Sequence, residues 1–100
     1  MTLPVVWSPK AEETFDAVIN YLRTHWTTRE VNNFIAETIH QIERISSFPF
    51  SCPESTKYKN VHRCIISKQT SLVYRYKVRK GVIEIVTFFD NRCNPKKIRY

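Results

Sequence analysis

The chain has 100 residues with one glycine, three cysteines and a formal net charge of +7. A chain of this length has room for one modest hydrophobic core, so we expect a single domain over residues 1–100. Its hydrophobic content of 42% and aromatic content of 13% argue against a disordered protein. The single glycine excludes the glycine-rich phosphate-binding loops of dinucleotide- and nucleotide-binding folds, because those loops need several glycines at fixed spacing.

The compartment and the cofactors are predicted from what the sequence does not contain. No run of 18 apolar residues predicts a membrane span, and the first residues do not resemble a secretory signal, so we expect a cytoplasmic protein. Cys52, Cys64 and Cys93 form no CxxC motif, and the histidines add no zinc-binding spacing. We therefore expect three reduced thiols, no metal site and no cofactor.

The positive charge is confined to one half of the chain. Residues 57–100 contain twelve lysines and arginines against two carboxylates, Glu84 and Asp90, whereas residues 1–56 are slightly acidic. Such asymmetry is typical of a surface that binds a polyanion or an acidic protein. The alternative is a basic surface that is merely solvated.

The first half of the chain predicts a strand and two helices. Residues 2–7 are rich in valine, which predicts a strand. Ser8 and Pro9 are typical of the first positions of a helix, which we expect to end near residues 25–26. Thr27 and Glu30 fit a capping box for a second helix over residues 28–46. The short connection predicts an antiparallel helical hairpin.

The second half predicts a loop over residues 47–60 and then three strands, at residues 61–67, 71–79 and 82–89. Lys80 and Gly81 predict a tight turn between the last two strands. Residues 90–100 form a basic tail. We therefore expect an α+β fold of order β-α-α-β-β-β, in which the helical hairpin packs on one face of a small antiparallel sheet. Strand alternation then leaves Arg75, Lys77 and Arg79 on the open face.

Four segments carry a family resemblance. They are residues 7–11 (WSPKA), residues 42–49 (IERISSFP), Arg63 followed by residues 72–76 (LVYRY), and residues 83–86 (IEIV) leading into 89–95 (FDNRCNP). In this order they resemble the RelE/ParE superfamily of bacterial toxins from toxin–antitoxin pairs. The resemblance implies a growth-arresting toxin whose partner is a small antitoxin with an acidic or amphipathic C-terminal segment.

Members of that superfamily act in two ways, by cutting messenger RNA on the ribosome or by poisoning DNA gyrase. The resemblance to the ribonucleases is incomplete. Ser71 stands where they have an arginine, and His62 and Cys64 stand where they have lysines. Arg92 matches their last arginine, and Tyr100 lies near their tyrosine. This pattern favours gyrase as the target, with messenger RNA cleavage as the alternative.

If the chain is a ribonuclease, the resemblance assigns catalysis to Arg63, Arg92 and His62, with a cation holding the phosphate and a histidine moving the proton. Each has a structural alternative. Arg63 can pair with a carboxylate such as Asp90 or Glu84, and His62 can be a half-exposed strand residue. Arg92 can be a turn residue, with Asp90 capping the backbone.

The predicted surface for the antitoxin or for nucleic acid is larger and consists mainly of cations: Lys57, Lys59, Arg63, Arg75, Lys77, Arg79, Arg92, Lys96, Lys97, Arg99 and Tyr100. Two further hypotheses remain open on the sequence alone. The chain can be a non-toxic basic binding module, or a toxin that has lost its activity.

Overall fold

The structure is a computed structural model that describes residues 2–90. Its elements are β1 (Val5–Trp7), α1 (Pro9–His25), α2 (Thr28–Ser47), β2 (Val61–Ile65), β3 (Thr70–Lys77) and β4 (Val82–Asp90). The predicted α+β fold and its order β-α-α-β-β-β are confirmed. The predicted basic tail after residue 90 lies outside the described residues. Within residues 2–90, no helix is both long and apolar enough to cross a membrane.

The sheet is mixed, so the prediction of a purely antiparallel sheet is wrong. Its strand order is β1-β4-β3-β2, and β1 pairs with β4 in parallel, with Val6 opposite Glu84. The other pairs are antiparallel, as expected for the last three strands. The difference arises because the helical hairpin connects β1 at one edge of the sheet to β2 at the other edge. The last strand, β4, then lies between β1 and β3 and pairs with both.

The two helices begin differently. Ser8 caps α1, because its Oγ accepts a hydrogen bond from the Ala11 backbone N–H at 3.0 Å. The same hydroxyl donates to the Val86 carbonyl at 2.7 Å, which ties the start of α1 to β4. The predicted capping box at Thr27 is wrong, since Thr27 makes no side-chain cap hydrogen bond. The Glu30 N–H donates instead to the Thr27 carbonyl at 3.0 Å.

The main core lies between the helices and the sheet, and aromatic rings from four elements meet in it. Trp7, Phe15 and Phe88 have ring centroids 5.2–5.3 Å apart, and Phe34 of α2 stacks on Phe15 at 5.5 Å. Such pairs add a directional preference to the burial of apolar area. They hold the hairpin on one face of the sheet.

An irregularity in β3 and β4 creates a second apolar cluster on the opposite face. Val73 pairs with Thr87, but Tyr74 pairs with Ile85, so Val86 is an extra residue, as in a β-bulge. Val86 joins Val61 and Val73 in a small cluster to which neither helix contributes. Tyr74 lies on the helix side and is completely buried.

The loop between α2 and β2 is held against the sheet. The Tyr74 hydroxyl donates to the Pro49 carbonyl at 2.7 Å, and the Arg63 N–H donates to the Pro53 carbonyl at 3.1 Å. These contacts bring the Cα atoms of Cys52 and Cys64 to 5.5 Å, and the two residues form a disulfide. The prediction of three reduced thiols is therefore wrong for this pair, because their proximity depends on a loop contact that spacing does not reveal.

Ser8→Ala should lower the free energy of unfolding by about 1–2 kcal/mol, since it removes the cap and the bond to Val86. Thr27→Ala is the matched control and should cost less than about 0.5 kcal/mol, because Thr27 makes no side-chain cap bond. Urea denaturation of both variants measures the difference. Equal losses in the free energy of unfolding would contradict the conclusion that Ser8 caps its helix through its side chain and Thr27 does not.

Reduction of the Cys52–Cys64 disulfide should lower the free energy of unfolding by about 3 kcal/mol, because the bond restricts the unfolded chain. Urea denaturation of the Cys93→Ser variant, with and without a thiol reductant, avoids exchange with the third cysteine. A variant that also carries Cys52→Ser and Cys64→Ser should not respond to the reductant. Identical curves for the disulfide-containing variant in both conditions would argue against the bond.

Burial raises the pKa of the Tyr74 phenol, although hydrogen bonds to Cys52 and Ser51 and the charge of Arg44 act in the opposite direction. In the unfolded chain the phenol has its ordinary pKa of about 10. Because the folded state keeps its proton to higher pH, stability should fall as pH rises above that value. Urea denaturation from about pH 8 to 11 should show a steeper loss for the wild type than for Tyr74→Phe. A wild-type slope in Tyr74→Phe would contradict the prediction.

Candidate functional site

The candidate site is the sheet face opposite the helices, which we call the helix-free face. Its residues are Val61 and Arg63 of β2, Ser71, Val73, Arg75 and Lys77 of β3, and Glu84, Val86 and Phe89 of β4. The strand register places Arg63 opposite Val73, and Arg75 between Val61 and Glu84. The predicted cations Arg63, Arg75 and Lys77 are therefore on one face, but the face is not open throughout, because Val61, Val73 and Val86 of the second apolar cluster are at most 7% exposed.

Arg63 lies at one end of the helix-free face and is held in a defined position. Its guanidinium carbon lies 5.1 Å from the centre of the Phe89 ring, and its Nε donates to the Ser71 hydroxyl at 3.3 Å. A cation over an aromatic face gains electrostatic attraction without losing its charge. Ser71, at the position where the sequence resemblance implies an arginine in the ribonucleases, thus orients Arg63.

Arg75 and Lys77 lie at the other end and share one carboxylate. Glu84 lies 3.9 Å from an Arg75 terminal nitrogen and 3.4 Å from the Lys77 Nζ. All three side chains remain partly exposed, at 38%, 33% and 23% in the order Arg75, Lys77 and Glu84. Exposed pairs of this kind contribute little to stability. Their effect is to hold two cations side by side with one positive charge in excess.

The loop brings two further predicted cations to this face. Lys57 is exposed, and its Nζ lies 5.3 Å from the centre of the Tyr58 ring, which packs on the second apolar cluster. Lys59 lines one groove with Arg75, Lys77 and Arg79. Asn60 adopts a left-handed backbone conformation with φ of 61°, and its carbonyl accepts the Tyr76 N–H at 3.0 Å. This turn places Lys59 beside β3.

His62 points away from the helix-free face and is only 2% exposed, so the expectation of a half-exposed strand residue is wrong. Its ring stacks on Tyr74 at 5.0 Å, and Phe50 contacts it edge-on at 5.8 Å. Its Nδ1 lies 2.8 Å from the Cys52 carbonyl, so Nδ1 donates the hydrogen bond. Among the described residues, the buried Nε2 has no hydrogen-bond partner. Strand alternation separates His62 from Arg63, its neighbour in sequence.

The structure therefore brings most of the predicted residues together. Arg63, Arg75 and Lys77 share the helix-free face, and the cations that border it are Lys57, Lys59 and Arg79. His62 is buried on the helix side of the sheet. The predicted residues Arg92, Lys96, Lys97, Arg99 and Tyr100 lie outside the described part of the chain.

The sequence analysis missed Glu84 as the shared partner of Arg75 and Lys77. A two-residue turn at Lys80 and Gly81 would have placed Glu84 opposite Lys77, whereas the observed register pairs Glu84 with Arg75. It also missed Lys80 and Tyr76, which line the groove with Lys59. Their contribution depends on the position of the loop, for which the sequence carries no local signal.

Solved structures of bacterial toxins share this fold. The chromosomal ParDE system of P. aeruginosa matches with a TM-score of 0.72 at 13% identity, covering 89% of this chain and 96% of that chain. The YoeB/ParE toxin from Agrobacterium tumefaciens gives 0.66 at 13% identity, covering 89% and 99%. The RelBE2 toxin–antitoxin complex from Mycobacterium tuberculosis gives 0.60 at 9% identity, covering 91% and 100%. At identities this low, the matches show that the fold is shared and do not identify the target of the toxin.

Sequence comparison identifies the family. No curated protein matches the chain by sequence. The sequence model described as "ParE toxin of type II toxin-antitoxin system, parDE" matches residues 5–94, which is most of the chain. The match includes both helices and all four strands of the mixed sheet. The chain therefore belongs to the ParE toxin family of type II toxin–antitoxin systems.

Proposed function

We propose that this toxin arrests bacterial growth by inhibiting DNA gyrase and not by cleaving messenger RNA. The observation that carries the proposal is the position of the residues that stand in place of the ribonuclease lysines. His62 and Cys64 are both about 2% exposed, and Cys64 is bonded to Cys52. Neither can present a cation or a proton donor beside Arg63.

The helix-free face supports a binding function better than phosphate cleavage. Cleavage needs a group that removes the 2′-hydroxyl proton close to cations that stabilise the new charge. On the described part of this face, the only carboxylate beside Arg75 and Lys77 is Glu84, which already pairs with both. Ser71 serves as a hydrogen-bond acceptor for Arg63. An arginine fixed in this way is well suited to bind a partner protein.

The same surface suits a neutralising antitoxin. An acidic or amphipathic C-terminal segment laid across the helix-free face would meet the charges of Arg63, Arg75 and Lys77. Coverage of this surface would silence the toxin, because the antitoxin and the target would compete for the same cations.

The deciding experiment is induction of the chain without an antitoxin in bacteria, followed within minutes by a pulse of labelled amino acid. We expect protein synthesis to continue while division stops and a DNA-damage response begins. Purified toxin should inhibit supercoiling by gyrase in vitro. Immediate collapse of protein synthesis would contradict the gyrase proposal and indicate the ribosome, and normal growth would contradict the toxin function.

Arg63→Ala should raise the toxin concentration needed for half-inhibition of gyrase by about fivefold or more, as for an arginine that is held in place to contact a partner protein. Arg23→Ala removes an exposed charge from α1 and serves as the control, with little expected effect. Equal inhibition by the two variants would remove Arg63 from the binding surface.

A further inference from the structure

The Cys52–Cys64 disulfide joins a loop to a strand of the sheet. Cys64 lies within β2, where it pairs with Leu72 of β3, and is 2% exposed. Cys52 lies in the loop before β2 and is 5% exposed, although Ser51 and Pro53 on either side of it are exposed. When the bond is broken, Cys64 therefore stays in the sheet, whereas Cys52 reaches solvent whenever its loop moves.

The Cys52 sulfur lies beside a positive charge. Arg44, in the last turn of α2, donates from its Nη2 to the Cys52 Sγ at 3.4 Å, and the Ser51 Oγ lies 4.0 Å from the same sulfur. A guanidinium stabilises the negative charge of a thiolate, which is the form of cysteine that attacks disulfides. Cys52 thus combines the two features of a reactive cysteine, a stabilised thiolate and a route to solvent.

We propose that Cys52 and Cys64 form a thiol–disulfide exchange site for low-molecular-weight thiols. In the reduced chain, the Cys52 thiolate attacks one sulfur of an oxidised small thiol, RSSR, to form a mixed disulfide and release one RS⁻. The Cys64 thiolate then attacks the Cys52 sulfur, which closes the protein disulfide and releases the second RS⁻. The chain loses two protons and two electrons, and RSSR becomes two RSH. An excess of RSH reverses both steps.

The exchange acts on the edge of the sheet that carries Arg63. In the disulfide form the loop lies along β2, because the Ser55 N–H donates to the Val61 carbonyl at 2.6 Å and the Arg63 N–H donates to the Pro53 carbonyl at 3.1 Å. Pro53 directly follows Cys52, so the disulfide holds the acceptor of the Arg63 bond in place. Reduction removes this anchor, and the contact opens more often. The site goes beyond the proposed inhibition of gyrase and does not depend on it.

Reaction of the reduced Cys93→Ser chain with oxidised glutathione tests the site, because mass spectrometry separates the mixed disulfide from the closed one. With Cys64→Ser added, a glutathione adduct should accumulate at Cys52. With Cys52→Ser added instead, Cys64 should react about fivefold more slowly. Equal rates, or a faster reaction at Cys64, would overturn the proposal. Urea denaturation shows whether each variant is folded under the reaction conditions.

The charge beside Cys52 can be tested in a chain that keeps both cysteines. Arg44→Gln removes the charge and should slow closure of the disulfide by oxidised glutathione about threefold or more. Arg44→Lys restores the charge and should react faster than Arg44→Gln. The matched control is Arg29→Gln, which removes an exposed charge from the first turn of α2 and should leave the rate unchanged. Equal rates for the two glutamine variants would contradict the activation of Cys52 by Arg44.

Hydrogen exchange of the Cys93→Ser chain in its disulfide and dithiol forms tests the effect on β2. The Arg63 amide should exchange about tenfold faster or more after reduction, since its acceptor lies next to Cys52. The Ile83 amide, which donates to the Pro4 carbonyl at 3.0 Å on the β1 side of the sheet, should change less. Equal acceleration of the two amides would overturn the proposed action on this edge. These assays contain neither gyrase nor ribosome, so their failure is distinguishable from failure of the proposed function.

Discussion

The buried phenol of Tyr74 is the constraint on which the rest of the functional surface depends. Its ring lies among the core residues between helices and sheet, and its hydroxyl reaches the Pro49 carbonyl. Strand alternation then turns Arg75 to the opposite face. The bond to Pro49 also holds the start of the loop, which positions Phe50 over His62 and brings Cys52 to Cys64. One buried side chain therefore organises both faces of the sheet.

The helix-free face has two parts with different physical properties. Around Val73 it is apolar and partly covered by Tyr58 from the loop, whereas around Arg75 it is cationic and open to solvent. Arg63 lies at the apolar end, over Phe89. Because the apolar cluster is already buried within the chain, a partner on this face would meet mainly the cations and would need acidic groups, as proposed for the antitoxin.

Much of the fold could be predicted because the signals are local. Ser8 and Pro9 mark the start of α1, and Gly81, with φ of 62°, lies in the predicted turn. The candidate site was less predictable. His62 and Arg63 are adjacent in sequence, and which of them is buried depends on the register of β2 against β3, which local patterns leave open.

By itself, the sequence determined the order of the elements, the helical hairpin and the excess of cations in the second half, because periodicity, caps and charge are properties of neighbouring residues. Only the tertiary structure decided that β1 joins β4 in parallel, that Cys52 meets Cys64, and that Glu84 is shared by Arg75 and Lys77. Each of these joins residues that are distant along the chain or on different strands. Such contacts form when the core packs and the loop closes over the sheet, and no short segment of the sequence encodes them.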